Sequence, residues 1–332
     1  MTRQVTLAEI AESSGVSPAT VSRVLNGDTR VSQERADAVR RAVAELGYSP
    51  NRGARSLASG KTGLVAVIID NNLTVFEDPF WALVTKGISG KLLAHGVQSL
   101  LMVTDLATYD HTVAASLSPK QIDGAIFFQV HREELLYELA DQGLPIVVTG
   151  TPQRPERLIY VDSDQFGGAQ KATEYLIAQG RRNIATITGD VFASAAQQRL
   201  SGYKKGLESQ GLQVNPNLIA IGDYSFESGR RGMISLLDSG ETIDGLFAAN
   251  DLMAVAAISV LEERGLRVPG DVSVVGFDDS QTAQISKPAL TSVHQDIEQL
   301  GIAAAELILE AIAGAEPESR IHPTYLVVRE SS

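Results

Sequence analysis

The sequence predicts two folds in succession: an N-terminal three-helix helix-turn-helix head, then an α/β body of two doubly wound half-domains. Three observations predict this. Short capped helical segments cluster around glycine turns before residue 50, and from residue 64 apolar β-type runs alternate with amphipathic helical segments. The charge also changes sign along the chain. Residues 1–61 hold nine Lys/Arg against six Asp/Glu, and the remainder holds 19 against 34, within a formal net charge of -12. A mildly basic head on an acidic body suits a polyanion-binding module joined to a part that repels polyanions. Chance is the other reading of so small an excess.

The 332 residues, 44% of them apolar, suffice for two or three separate cores. There is no cysteine, which excludes disulfides, thiolate nucleophiles and zinc-thiolate sites and fits a reducing compartment. The first residues lack the apolar run of a secretory signal, and no stretch reaches the roughly 18 apolar residues a membrane span needs. A cytoplasmic location and no membrane partner are the expectation. The motifs of a serine hydrolase elbow, a zinc protease helix and a dinucleotide fingerprint are all missing. The five histidines, His95, His111, His131, His294 and His322, have no metal-ligand spacing. Neither an enzyme nor a metal or other cofactor is expected.

In the head, residues 1–50, Thr6-Leu7-Ala8-Glu9 fits a capping box, with Leu7, Ile10 and Ala11 on the inner face of the helix that follows. Gly15 supplies the left-handed conformation of a tight turn. Ser17 caps a second helix, with Pro18 at its first position, where a missing N–H costs nothing. Val21, Val24 and Leu25 face inward, while Pro18, Ala19, Ser22, Arg23 and Asn26 fall on the opposite side. Ser32 caps a third helix with the stripe Ala36, Val39, Val43 and Leu46, ended by Gly47. Two short helices around a glycine turn with a supporting third make a helix-turn-helix, though another small three-helix bundle would carry the same pattern. A second helix of this kind enters the DNA major groove. Arg23 can read guanine bidentately, worth about 1–3 kcal/mol of discrimination. Thr20, Ser22 and Asn26 suit phosphates, and the cap residues Thr6 and Ser17 complete the DNA-facing set.

The stretches VTLAEIAESSGVSPATVSRVLNG and VSQERADAVRRAVAELGYSPNRGARSLASGKT resemble, in register from residue 5 to 62, the DNA-binding head of the LacI/GalR family of bacterial transcription regulators. The resemblance implies that Pro18, Ala19 and Arg23 choose the operator. It also implies that residues 51–62 form a hinge helix only on specific DNA, wedging Leu57 into the minor groove beside its partner's. Physics agrees with the hinge. About nine residues are too few for an isolated helix in water, and Gly53 costs about 1 kcal/mol more than alanine would. Arg52 and Arg55 suit phosphates, and a plain linker is the alternative. Gly60-Lys61-Thr62 is no phosphate loop, because Arg55 stands where that motif needs glycine.

In the body, the strand candidates are residues 64–69, 99–103, 124–128, 145–149, 183–188, 218–221, 245–249 and 272–277. Their alternation with helices implies parallel sheets and a ligand crevice at the strands' carboxyl ends. The landmarks DPFW, VDSDQFGG, QQRLSGY, AAND, VVGFDDS and LTSVHQD extend the resemblance over nearly the whole chain, implying a periplasmic-binding-protein-like sensor. It places an effector-binding and dimerisation domain at 63–332. Its first half-domain would cover about 63–181 plus 291–322 and its second about 182–290 plus 323–332, with crossings near 180–183, 290–293 and 322–323.

The resemblance also implies that Arg199, Asn250 and Asp278 converge on the effector, with Tyr224 supplying a ring, Phe80 and Trp81 stacking on it, and Gln295 reaching in from the crossing. A guanidinium fork, an amide and a carboxylate can bond vicinal hydroxyls in both directions. Each has a plainer reading: Asn250 as a helix cap, Asp278 as a turn residue, Arg199 on the surface, Phe80 and Trp81 in the core, Tyr224 in the core or an interface. Gly150 and Thr151 stand where ribose-binding relatives have an Asp-Arg pair. Ala193 and Ala195 replace the purine branch's arginine and threonine. An unphosphorylated sugar or polyol is the expected effector.

The leucine-heptad tail that makes some members of the resembled family tetramers is absent, so the resemblance implies a homodimer on a near-palindromic operator. The functional expectation is a repressor whose operator affinity an effector changes. The alternatives are a corepressor-dependent regulator and a solute-binding sensor without DNA function.

Overall fold

The computed structural model describes residues 5–25, 28, 30–48, 61–70, 78–104, 117–128 and 133–332. They form two compact units, 1–62 and 63–332. Asn26, Arg52, Arg55 and Leu57, and with them residues 51–60 of the expected hinge, lie outside the described residues.

The head contains α1 (Leu7–Ser14), α2 (Pro18–Leu25) and α3 (Gln33–Leu46). The capping box forms: Glu9 N donates to Thr6 Oγ1 at 3.4 Å, and Thr6 N donates to Glu9 Oε2 at 2.8 Å. Gly15 and Gly47 end their helices at φ +68° and +62°, which a side chain would strain. Ser17 Oγ accepts from Thr20 N at 3.2 Å, whereas Ser32 makes no side-chain cap. Ile10, Ala11, Val21, Val39 and Ala42 form the core. Leu7 and Leu46, expected inside, are 37% and 40% exposed. They sit in the end turns of α1 and α3, where fewer neighbours cover a side chain, and Ala42 takes the inner place on α3.

The body begins with β1 (Leu64–Asp70), α4 (Pro79–Ala94), β2 (Gln98–Thr104), β3 (Gly124–Phe128), α5 (Glu134–Asp141), β4 (Ile146–Thr149) and β5 (Ile159–Ser163). It continues with α6 (Gln165–Ala178), β6 (Ile184–Ile187), α7 (Ser194–Ser209), β7 (Ile219–Ala220), α8 (Phe226–Asp238), β8 (Gly245–Ala248) and α9 (Asp251–Glu263). It ends with β9 (Ser273–Asp278), α10 (Gln281–Ile285), β10 (Thr291–His294), α11 (Ile297–Ile312), β11 (Arg320–His322) and β12 (Tyr325–Val327).

Two six-stranded sheets result, in the orders β11-β5-β4-β3-β1-β2 and β12-β10-β9-β8-β6-β7. Every described pairing is parallel except β10 with β12. Strands such as β3, buried at all five residues, are covered on both faces, which is why they read as unbroken apolar runs.

The first two crossings depart from the expected places, and the third, near 322–323, does not. The chain first leaves the first sheet at Asp164, not near 180–183. α6 buries Ala169, Ala172, Leu176 and Ile177 against Phe247, Val275, Phe277 and Val293 of the second sheet. The second crossing follows β10, at Gln295 and Asp296, because residues 291–294 still pair with β9. The third lies between β11 and β12. α11 packs on α4 in the first half-domain, burying Leu300, Ala304, Leu307 and Ile308 there.

Candidate functional site

On the head, α2 exposes Pro18, Ala19 and Arg23, while Val21 is its buried anchor. Ser17 is exposed at its start, and Thr20 and Ser22 are half-buried along its flank. Thr6 is exposed at the start of α1.

In the body, a cavity of about 830 Å³, counting its open mouth, lies between the half-domains. The first half-domain contributes Asp78, Phe80 and Trp81 from the start of α4, Phe128 from β3, Thr149 and Gly150 after β4, Asp162 from β5 and Leu300 from α11. The second contributes Gln165, Ala195, Arg199, Asp223, Tyr224, Ser225, Leu252 and Asp278. Phe128, Thr149 and Asp278 are the last residues of their strands, so the cavity sits at the carboxyl edges of both sheets.

Phe80, Trp81 and Phe128 make an aromatic wall, edge to face, with ring centres 5.4 and 5.5 Å apart. Trp81 packs in the first core and also lines the cavity.

Opposite stands Arg199, 4% exposed on α7. Its guanidinium lies 3.7 Å above the Phe277 ring centre. Nε donates to Gln165 Oε1 at 2.8 Å, Nη1 donates to the Ala249 carbonyl, and Nη2 lies 3.5 Å from Asp278 Oδ1. Burial raises the Asp278 carboxyl well above its ordinary range, Arg199 opposes this, and Asp78 and Asp251 add to it. Burial likewise raises Asp78, against hydrogen bonds from Phe80 N and Asn250.

Tyr224 adopts φ +71° and Asp278 φ +105°, positive values that non-glycine residues hold only under strain. A side chain on Gly189 would run into the Tyr224 ring. The Tyr224 hydroxyl is buried without a hydrogen-bond partner, and burial raises its pKa, keeping it a neutral donor.

Two expected effector residues stand one layer behind the cavity. Asn250 caps α9 by accepting from Met253 N at 2.9 Å. Its amide nitrogen donates to Asp78 Oδ2 and to the Tyr224 carbonyl, both at 2.9 Å, which spends both N–H groups. Gln295 donates to Asp278 Oδ1 at 2.6 Å and does not itself line the cavity. Phe80, Trp81, Arg199, Tyr224 and Asp278 do line it. Asp78, Phe128, Asp162 and Gln165 line it too and were missed by sequence reasoning. Asp78 lay inside DPFW, and Asp162 and Gln165 inside VDSDQFGG, as unassigned landmarks.

Among the described residues there is no group of three or more His, Cys, Asp or Glu fit for a metal, and no helix long and apolar enough to cross a membrane. The arrangement offers carboxylate acceptors, guanidinium and phenol donors and an aromatic face. These suit a polyhydroxylated ring with polar edges and an apolar C–H face.

Comparison with known proteins adds two family matches. Residues 6–51 match the family described as bacterial regulatory proteins, lacI family, and residues 173–332 a periplasmic binding protein-like domain. The chain is 39% identical to the HTH-type transcriptional regulator CelR of Thermobifida fusca over 335 residues, covering 99% of this chain and 98% of that protein. It is 33% identical to the HTH-type transcriptional repressor PurR of Edwardsiella ictaluri (strain 93-146), over 98% of this chain and 96% of that one. Among solved structures it is similar to a transcriptional regulator CelR-cellobiose complex, with TM-score 0.78, 38% identity and coverage of 99% and 100%. It is also similar to a lac repressor dimer bound to operator and the anti-inducer ONPF, with TM-score 0.87, 27% identity and coverage of 99% of each chain. With the head, the paired sheets and the crevice in place, the chain belongs to the lacI family of bacterial regulatory proteins, as a DNA-binding transcription regulator and not an enzyme.

Proposed function

We propose that the protein is a cytoplasmic, dimeric repressor of a near-palindromic operator, released or retained by a neutral sugar bound in the crevice. In the head, Arg23 reads bases directly, and Pro18 and Ala19 contribute apolar contact with thymine methyls. Thr6, Ser17, Thr20, Ser22 and Asn26, with Arg52 and Arg55 of the hinge, position the head on phosphates. Leu57 is the minor-groove wedge.

The observation that carries the effector reading is the charge and shape of the crevice. Arg199 is the one cation lining it among the described residues, facing Asp78, Asp162, Asp223 and Asp278. Arg199 is already matched by Asp278, so a phosphorylated or carboxylated ligand would enter against repulsion. A neutral sugar donates hydroxyls to the carboxylates, accepts from Arg199 and the Tyr224 hydroxyl, and lays a C–H face on Phe80 and Trp81. The CelR structure with cellobiose makes that disaccharide the first probe.

The test is a thermal-shift screen of cellobiose, other di- and monosaccharides, sugar phosphates and nucleosides. A ligand at 100 times its dissociation constant stabilises the folded protein by about 2.7 kcal/mol. The reading expects the response among neutral sugars. A response confined to phosphates or nucleosides contradicts it.

A further inference from the structure

We propose that Gln165 and Gln295 are positioning residues that couple occupancy of the crevice to the angle between the half-domains. This rests on the reading of the crevice as an effector site. Neither residue needs to hold the effector itself.

Each glutamine stands at a chain crossing. Gln165 directly follows Asp164, where the chain leaves the first sheet, and Gln295 follows β10, where it returns. Both are buried, at 4% and 2% exposure. Gln165 Oε1 accepts from Arg199 Nε at 2.8 Å. Its Nε2 donates to Asp162 Oδ1 of the first half-domain at 3.0 Å and meets Gln295 Oε1 at 3.5 Å. Gln295 Nε2 donates to Asp278 Oδ1 at 2.6 Å. The two charged residues expected to hold the effector are thus bonded, through two touching amides, to two of the three crossings and to the opposite half-domain.

An amide has one donor end and one acceptor end, so its orientation is set by its partners. A sugar hydroxyl that donates to Asp278 Oδ1 competes with Gln295 for that oxygen. A turned Gln295 withdraws its carbonyl from Gln165, and Gln165 then changes its hold on Asp162. The crossings transmit this without slack, because each opens into a capped helix. Asp164 Oδ1 accepts from Gly167 N at 2.8 Å, and Asp296 Oδ1 accepts from Gln299 N at 3.0 Å. Coupling of this kind is reciprocal, so operator DNA shifts sugar affinity through the same two amides.

The experiment compares wild type, Gln165→Met, Gln295→Met and the double variant, since methionine keeps the length and removes the amide. Operator affinity is read by fluorescence anisotropy with and without cellobiose, and sugar binding by thermal shift. The half-domain angle is read from spin labels on Glu138→Cys and Lys205→Cys, which label uniquely because the chain has no cysteine. Sites coupled in this way change each other's affinity on the order of 5–150-fold. The Met variants are expected to bind operator within about threefold of wild type, while their sugar response, read at cellobiose that saturates each variant by thermal shift, falls below about twofold. The double variant should be no worse than either single one, because the pair acts as one link.

A full sugar response in either single variant, or losses that multiply in the double, overturns the proposal. A purely structural role would lower stability and operator affinity together and leave the response in place. Should Gln165→Met fail to fold, Gln295→Met alone decides. If wild type ignores cellobiose, the sugar reading falls but the link is still judged in the ligand-free protein. A shifted or broadened label distance in the Met variants supports it, and an unchanged distance overturns it.

Discussion

Gly87 on α4 and Gly301 on α11 lie at one helix crossing of the first half-domain, each against the backbone of the opposite helix. A side chain on Gly87 would run into the Glu298 carbonyl, and one on Gly301 into the Val84 carbonyl. The second half-domain repeats the device, with Gly202 of α7 against the Phe166 carbonyl of α6 and Gly206 against Thr173. These helices carry the walls of the crevice: α4 presents Asp78, Phe80 and Trp81, α11 presents Leu300, and α7 presents Arg199. Backbone-to-backbone packing therefore sets the distance between them. Gly301→Ala is expected to destabilise the body by about 1–3 kcal/mol, as overpacking does. Gly90→Ala, in the same helix as Gly87 but with open space around it, should stabilise by about 0.5–1 kcal/mol. Chemical unfolding of both variants checks the pair, and equal effects would mean that the crossing is not tight.

The Asp78–Asn250 hydrogen bond ties the N-terminus of α4 to that of α9 across the crevice. Asn250→Ala removes the α9 cap and leaves the buried Asp78 carboxylate one donor short. A loss of about 1–3 kcal/mol is expected from the cap and the unpaired acceptor together. Asn250→Asp keeps the cap oxygen but sets a carboxylate against Asp78. It should lose stability toward high pH and regain it when either acid is protonated. A variant as stable as wild type at neutral pH would show that the bond contributes nothing.

Behind the crevice lies Asp251, whose carboxyl burial pushes up to about 7 from its ordinary 3.8. Ser292 Oγ at 2.5 Å and Ser280 N at 2.7 Å donate to it and only partly offset that burial. A carboxyl with a raised folded-state pKa binds more protons folded than unfolded. Its contribution to stability is complete below 3.8 and is lost as pH rises toward 7. Asp278 acts in the same direction. Carboxyls lowered by exposed arginine partners, such as Asp271, titrate below that window. The melting temperature should therefore fall between about pH 4 and pH 7, and Asp251→Asn should flatten the fall. An unchanged slope in that variant would assign it to other groups.

The head was legible because its signals are local. Thr6 with Glu9, Gly15 and Gly47 each act within four residues, and each does what its position requires. Long apolar strands such as β1, β3 and β9 were legible because burial on both faces leaves unbroken runs. β5, written IYVDS, was not, since its last residues turn polar to serve the crevice. The first crossing was misplaced for another reason. The pattern of α6 gives it an apolar face but does not say which sheet that face covers.

The site divides the same way. Arg199 and Asp278 could be named from their motifs. That Asn250 and Gln295 stand behind the cavity, while Asp78, Asp162 and Gln165 line it, depends on how two sheets meet across three crossings. Residues 162 and 295 are brought together only by that packing.

In the proposed function one chain joins an operator-reading head to a sugar-reading crevice. Titrating a near-palindromic operator into wild type, Arg23→Ala and Arg199→Ala, each with and without cellobiose, tests it most directly. Arg23→Ala should lose specific operator binding by about 1–3 kcal/mol, or 5–150-fold, yet keep the thermal shift with sugar. Arg199→Ala should bind operator like wild type and ignore the sugar. An Arg199→Ala protein that still answers cellobiose as wild type does would mean that the crevice does not read sugar through Arg199.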